Sequence, residues 1–448
     1  MSIPIIREVE QARATILKRV PFDDVKVPTH IAKKLTQVFG KPLTPVQAVQ
    51  QIIADVRRFG DQAVIGYTRL LDGASLSQLR VSEQEIEQAW NETPPSLRAS
   101  LELAAERIRA FHLAQKERQV KSWVEQKNGS HLGQVMRPMS RVGVYAPGGS
   151  AAYPSSVLMA AIPARVAGVQ EVILVTPPSR TGRLHPAVLS AARIAQVNAV
   201  FKAGGAQAIA ALTYGTATIP RVDKICGPGN LFVMLAKRQV YGLVGLDGLP
   251  GPTETLIVAD HTANPVWVAA DLIAQAEHDA LASAILLTPS AELALKTQAA
   301  VVKQLPDLPR QEVVLQSFQQ QGGIVLTESL EQAIELANEY APEHLCLVVE
   351  DPLSWLNRVH NAGGIFLGEY SSEALGDYVV GPSHIMPTGG SARFASALTV
   401  LDFVKVINIF DVSPQEVQAL SPTAAEIADS EGLTGHANAV RCRLRVGK

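Results

Sequence analysis

With 448 residues the chain exceeds what one ordinary hydrophobic core organises, and two or more domains are expected. Hydrophobic residues make up 47% and charged residues 18%, the balance of a globular protein with large cores. The net charge of -2, without any lysine- and arginine-rich run, offers no field for nucleic acid or an anionic membrane surface, so neither is an expected partner.

The N-terminal MSIPIIREVEQARATILKRV lacks a continuous apolar core followed by a small-residue cleavage site, so no signal peptide is expected. Up to about Val120 the pattern is helical: in VQAVQQIIADVRRF and LRASLELAAERIRAFHLA the apolar positions recur at steps of three and four residues. From Arg141 to about Gly248 the chain alternates strand, glycine turn and helix, through RVGVYAP, PSSVLMAAIPARVAG, EVILVTPP, a helix to Ala195, AVFKAGG, AQAIAALTYG, KICGPGN and LFVMLAKRQVYG. That alternation predicts a parallel sheet with crossover helices. The most apolar stretches, such as 157–164, stop well short of the roughly 20 residues that span a bilayer.

A second alternating block starts at Thr253 with the strand TLIVAD. Its first helix is opened by Asn264 as cap and Pro265 at the first position, and runs to His278. SAILLTP, a lysine-containing helix, GIVLT, a helix from Glu328 to Tyr340 and LCLVVE follow. Pro342 stops the last helix, which leaves Glu343 and His344 in the connection, where catalytic groups are often found. In the C-terminal stretch Ser413-Pro414 and Ser421-Pro422 are each expected to open a short helix, and Gly432 to close the second. Cys226, Cys346 and Cys442 are far apart and form no C-x-x-C pair, which fits a reducing compartment and argues against a disulfide scaffold or a thiolate metal site. A soluble, cytoplasmic protein is expected.

Four short blocks carry chemistry. In Gln275-Ala276-Glu277-His278 the first and last residues share one helix face. Like Glu277-His278, Pro342-Glu343-His344, the pair Asp377 and His384, and the pair Glu431 and His436 each set a histidine near a carboxylate, so four of the ten histidines are placed this way. His278, His384 and His436 with Asp377 and Gln275 supply nitrogen and oxygen donors without sulfur, which suits zinc, manganese or cobalt equally. The plainer alternative is a set of structural histidines, with Gly376-Asp377-Tyr378 an ordinary turn. Ala146-Pro147-Gly148-Gly149-Ser150, between a strand and a helix, is placed to receive a phosphate. The G-x-G-x-x-G pattern is missing, however, and EVILVTPP ends without an acid for an adenosine ribose, so a conventional Rossmann site is unsupported. Gly204-Gly205 and Gly227-Pro228-Gly229 read as tight turns between strand and helix.

Taken in order, RVGVYAPGG, GGAQAIAAL, CGPGN, GPTETLIVAD, QAEH, APEHL, GDYVVGPSHIMPTGGSARF and EGLTGHANAV resemble the histidinol dehydrogenase family, over about residue 30 to Val440. The resemblance implies oxidation of L-histidinol to L-histidine through an aldehyde, with two NAD and one zinc ion, in the last steps of histidine biosynthesis. Carried over by position, it implies zinc held by Gln275, His278, Asp377 and His436, with His344 as general base and Glu343 activating water. Thr253, His384 and Glu431 would contact the substrate, so His384 becomes a substrate contact instead of a ligand. Tyr145, Gln207 and Asn230 would line the NAD site. Thr253 stands where many members have serine, which keeps the hydroxyl and adds a methyl group.

The expected fold is α/β, with two incomplete Rossmann-like parallel-sheet domains and small N- and C-terminal helical segments. The expected division is an arm at 1–29, a discontinuous metal and substrate domain at 30–140 and 250–398, an NAD-associated domain at 141–249, and a C-terminal segment at 399–448. The family is a homodimer whose C-terminal segment reaches into the neighbouring subunit, so Glu431 and His436 would complete the other chain's site. Two further readings of the same residues are a zinc hydrolase, with Glu343 activating metal-bound water, and an inactive relative kept as a scaffold.

Overall fold

The computed structural model describes residues 3–19, 29–148 and 152–444, so Gly149 and Ser150 of the first glycine turn lie outside the described residues. Both alternating blocks form parallel sheets. In the first, the strands lie in the order Ala199–Lys202, Glu171–Thr176, Arg141–Tyr145, Lys224–Cys226, Gly245–Leu246. The chain winds one way from Arg141–Tyr145 through two strands, then returns to its other side with Lys224–Cys226. The order therefore reverses between those two strands, and a crevice opens there beyond their carboxyl ends.

The helices of the first 120 residues cover this sheet. Val49, Ile52 and Val56 of Pro45–Phe59 share a core with Ile209 and Leu212 of Gly205–Tyr214 and Met234 of Leu231–Val240. Leu101, Ala105 and Ile108 of Pro95–Gln119 share another with Val157 and Ile162 of Pro154–Ala167. The span 45–119 thus packs its apolar stripes on the first sheet's helices. Its apolar stripes match the outer faces of the alanine-rich crossover helices, which are buried on both sides and need a second layer outside them.

The second sheet has six parallel strands in the order Ile5–Ile6, Gly323–Leu326, Ser283–Thr288, Glu254–Ala259, His344–Val348, Gly364–Leu367. Glu254–Ala259 and Ser283–Thr288 are buried along their whole length, as expected of strands covered on both faces. The N-terminal arm adds the edge strand, with Ile5 opposite Ile324. Two helices, Ala291–Gln304 and Gln311–Gln320, fill the span read as one, and Ser329 caps the helix Leu330–Tyr340.

A third sheet is antiparallel. The hairpin of Trp123–Lys127 and Ser130–Pro138 pairs with Val404–Asp411 and ties the C-terminal segment to the middle of the chain. Beyond it, one helix runs from Pro414 to Ser430 in place of the two short helices expected. Pro422 lies inside it and removes one backbone hydrogen bond, yet the helix continues because Ala425 and Ala428 beyond the proline pack on Ala437 of Thr434–Leu444. This small core is separate from the four larger ones. Val406, Ile407 and Phe410 of the third sheet, and Leu420 and Ile427 of the helix, are exposed.

Ile257 is fully buried at the centre of the second sheet, between Leu286 and Cys346. Ile257→Ala is expected to destabilise the fold by about 2–5 kcal/mol, against about 0.5 kcal/mol or less for Leu295→Ala on the exposed face of Ala291–Gln304, both read from urea unfolding midpoints.

Candidate active site

The second sheet carries its chemical groups at the amino ends of its strands. Thr253 immediately precedes Glu254–Ala259, and His344 is the first residue of its own strand, with Thr255 and Gly364 as register neighbours. The helix Pro265–Ala276, capped by Asn264, runs back from the far end of the sheet and delivers Gln275 and His278 to the same edge. Ala341, at the end of Leu330–Tyr340, adopts a left-handed conformation at φ 50°, uncommon for a residue with a side chain. That turn brings Glu343 and His344 inward, where both are buried.

The main chain of Glu254 holds the pair. Its N–H donates to Glu343 Oε2 at 3.1 Å, and its carbonyl accepts from His344 Nδ1 at 3.2 Å. Thr253 Oγ1 lies 2.7 Å from Glu343 Oε2 and 3.0 Å from Gln275 Oε1. With Nδ1 occupied as a donor, His344 Nε2 is the basic nitrogen. It is buried, has no hydrogen-bond partner among the described residues, and lies 3.7 Å from Asp377 Oδ1. Such orphaned atoms are rare in native interiors and point to a missing ligand.

Burial pushes the Glu343 carboxyl above its ordinary value, against the pull of His344 and the Thr253 hydrogen bond. For His344 burial opposes the charged ring, but Glu343, Asp377 and Glu373 outweigh it and the pKa rises. Burial works against the Asp377 carboxylate, yet His344 with the nearby His384 and His278 keeps its pKa low. His384 is held down by burial, and crowding by the surrounding protein lowers His278 at the rim in the same direction, so both imidazoles tend to neutrality and can act as donors of a lone pair. His384 Nδ1 donates to the Asp377 carbonyl at 2.8 Å, and Nε2 lies 3.5 Å from Ser156 Oγ. Ser156 sits on Pro154–Ala167 of the first sheet, so the pocket lies between the two sheet units.

One chain therefore gathers Thr253, Gln275, His278, Glu343, His344, Asp377 and His384. It does not bring Glu431 or His436 to them. Both are exposed on the C-terminal helical pair, whose small core contacts none of the pocket residues. Among the described residues no group of three or more His, Cys, Asp or Glu side chains is placed to hold a metal. Gln275, His278 and Asp377 offer one amide oxygen, one imidazole and one carboxylate, donor types whose chemistry suits a cation of the zinc type.

The residues proposed to line the NAD site meet at the reversal of the first sheet. Tyr145 ends the central strand, and its hydroxyl accepts from Gly205 N at 3.3 Å. Gln207, fully buried, has neither amide atom hydrogen-bonded within the described residues, so it does not bond the preceding turn of its helix. Asn230 caps Leu231–Val240 through Phe232 N and Val233 N. Between them, the Gly227 N–H donates to Asp247 and its carbonyl accepts from Lys237 Nζ, both at 2.6 Å, and Lys237 and Asp247 form a buried ion pair.

Sequence reasoning missed three groups. Glu373, almost fully buried, accepts from Thr255 Oγ1, Gln275 Nε2 and Cys346 Sγ. Its one signal was a spacing of four from Asp377, which puts the two carboxylates on one face of Glu373–Tyr378. Arg19 of the N-terminal arm pairs with the Glu254 carboxylate and stacks on Tyr340, a contact no local pattern announces. Asp247 is likewise invisible in sequence.

The histidinol dehydrogenase family model matches residues 42–444. Histidinol dehydrogenase of Dehalococcoides mccartyi strain CBDB1 is 50% identical over 443 residues, 98% of this chain and 99% of that protein. That of Deinococcus radiodurans is 48% identical over 437 residues, 97% and 98% of the two chains. The crystal structure of histidinol dehydrogenase from Elizabethkingia anophelis superposes with a TM-score of 0.89 at 36% identity, covering 100% of this chain and 98% of that one. Among the described residues no helix is long and apolar enough to cross a membrane.

A Cβ on Gly227, at φ +112°, would stand 2.0 Å from the Tyr145 carbonyl oxygen, whereas one on Gly66 of the helix Asp61–Tyr67 would meet nothing within 4 Å. Gly227→Ala is expected to lower the melting temperature by several degrees, and Gly66→Ala to leave it unchanged or raise it, by scanning calorimetry.

Proposed function

This chain belongs to the histidinol dehydrogenase family, and from that premise we propose that it oxidises L-histidinol to L-histidine through L-histidinal, with two NAD and one zinc ion per site. The observation that carries the reading is the buried Glu343–His344 pair, both held by the main chain of Glu254 against Asp377. When bound, zinc on Gln275, His278, Asp377 and a His436 from a second copy would anchor and polarise the substrate, while NAD beside Tyr145, Gln207 and Asn230 would accept hydride. The unpartnered amide of Gln207 supports a polar ligand at that place.

The chain's own residues supply proton transfer and positioning. His344 Nε2 takes the hydroxyl proton as the carbonyl forms, and the imidazolium is stabilised by Asp377. On their own the surrounding carboxylates favour a charged His344. Cationic charge brought beside Asp377 offsets them and returns the ring to its basic form. Both hydrogen bonds to Glu343 fall on Oε2, so Oε1 is the oxygen left to take a proton from the water that adds to the aldehyde. Thr253 aligns that carboxylate, and its methyl group narrows the pocket. His384 and Glu431 complete the contacts to the substrate. The hydrolase reading is set aside, because family membership over nearly the whole chain supplies a dehydrogenase.

The C-terminal segment 399–448 supplies Glu431 and His436 to a second copy in a homodimer. The apolar residues it leaves exposed, and the distance of both side chains from the rest of their own site, support this arrangement. Residues 141–249 form the NAD-associated unit, and the enzyme works in the cytoplasm, consistent with three free cysteines.

Purified protein given L-histidinol, NAD and zinc is expected to form two NADH per histidine; no NADH with metal present rules the reading out. His344→Asn is expected to keep zinc and lose turnover, and His436→Ala to lose zinc; equal metal content in the two by atomic emission removes the role of His436. Subunits of these two inactive variants, dissociated and reassociated in equal amounts, are expected to recover about a quarter of the parental activity. Each mixed dimer would then contain one intact site; mixtures that stay inactive show that no site is shared.

A further inference from the structure

We propose that Glu373 is the positioning residue that sets the orientation of the Gln275 carboxamide, and through it the affinity of the metal position. The inference rests on the reading of Gln275 as a ligand. A carboxamide has two faces of similar shape and opposite polarity, and only its oxygen binds a cation. What selects the face here is a carboxylate with nothing to donate. Glu373, almost fully buried, receives the Gln275 amide N–H on Oε2, the Thr255 hydroxyl on Oε2 at 2.6 Å and the Cys346 thiol on Oε1 at 3.0 Å. All three partners donate, so this side chain serves as an acceptor towards each of them, and the amide nitrogen of Gln275 is committed to it.

The oxygen of Gln275 is then left on the side of Thr253, 3.0 Å from its hydroxyl. That hydroxyl has one proton and a second acceptor, Glu343 Oε2, at 2.7 Å. The shorter bond to a carboxylate takes the proton. The Gln275 oxygen, on the side of Thr253, is therefore left without a committed donor, as a metal ligand requires. Partners behind a ligand that fix its orientation contribute about tenfold to a hundredfold in metal affinity.

The test uses the full-length protein stripped of metal, with zinc as probe in competition against a chelating dye. Glu373→Gln offers Gln275 a donor as well as an acceptor, so the carboxamide can flip and withdraw its oxygen. Zinc is expected to bind about tenfold to a hundredfold more weakly, while NAD binding and the melting temperature of the zinc-free protein stay at parental values. The exchange Q275E/E373Q restores a complementary amide and carboxylate with their places reversed, and is expected to bind zinc within about threefold of the parent or more tightly. Zinc affinity within twofold of the parent in folded Glu373→Gln overturns the proposal and leaves the reading of Gln275 standing. So does a loss in which NAD binding and zinc-free melting fall together with zinc affinity, since that is general structural damage. Should Glu373→Gln not fold, the exchange decides: zinc affinity near the parental value sustains the proposal, and a folded exchange without zinc, or one that also fails to fold, overturns it. A parent that binds no zinc removes the underlying reading, and this inference with it.

Discussion

Two backbone atoms of one residue hold the chemistry in place. The N–H of Glu254 grips the Glu343 carboxylate and its carbonyl grips the His344 ring. Both hydrogen bonds lie at the head of a strand buried along its whole length, whose neighbours on either side are pinned by parallel ladders. A side-chain support could rotate, whereas this one moves only if the strand moves. The Glu254 carboxylate is in turn fixed by Arg19 and by the Gly389 N–H. Arg19 also takes the carbonyls of Tyr340 and Ala341, the residues that turn the chain toward Glu343. The N-terminal arm thus braces the Glu343–His344 pair from behind, and the edge strand Ile5–Ile6 anchors the arm.

The two sheets face the pocket with opposite ends. The first presents the carboxyl ends of its strands, where Tyr145 and the glycine turns lie, in keeping with the general behaviour of open parallel sheets. The second presents amino ends, where Thr253 and His344 lie, and borrows the returning end of Pro265–Ala276 for Gln275 and His278. Contacts such as Ser156 with His384, and Ser383 with the Met159 carbonyl, join the two units at the pocket itself. A redox reaction between two bound molecules needs such a seam, because each partner can be held by one unit and the reacting atoms brought together where the units meet.

Periodicity alone located both parallel sheets, since strands buried on both faces and crossover helices write strong patterns into the sequence. It did not say where the first helices pack, because an apolar stripe names a buried face without naming its partner. Pro422 misled for a related reason: its local preference to open a helix gave way to the packing of Ala425 and Ala428 beyond it. In the site, Glu343, His344, Asp377 and His278 stood out as carboxylate and imidazole near one another in sequence. Glu373, Asp247 and Arg19 did not, because their partners are 98, 10 and 235 residues away and the contacts exist only once the sheets have formed.

The ion pair of Lys237 and Asp247 shows how the first unit meets a similar demand. Burying two charges is costly, and replacing such a pair by apolar residues is often neutral or better for stability, so stability alone does not explain it. Its geometry does. One partner binds the Gly227 carbonyl and the other its N–H, which leaves both backbone polar groups of that residue satisfied at a φ of +112°, where a Cβ would strike the Tyr145 carbonyl. A glycine turn is chosen for the space it leaves, and the same freedom would let it wander. The ion pair removes that freedom from outside the turn, so that Asn230 enters its helix cap from a fixed position. In both units, then, main-chain groups are held by interactions that arrive from elsewhere in the fold, and the residues facing the pocket inherit their precision from them.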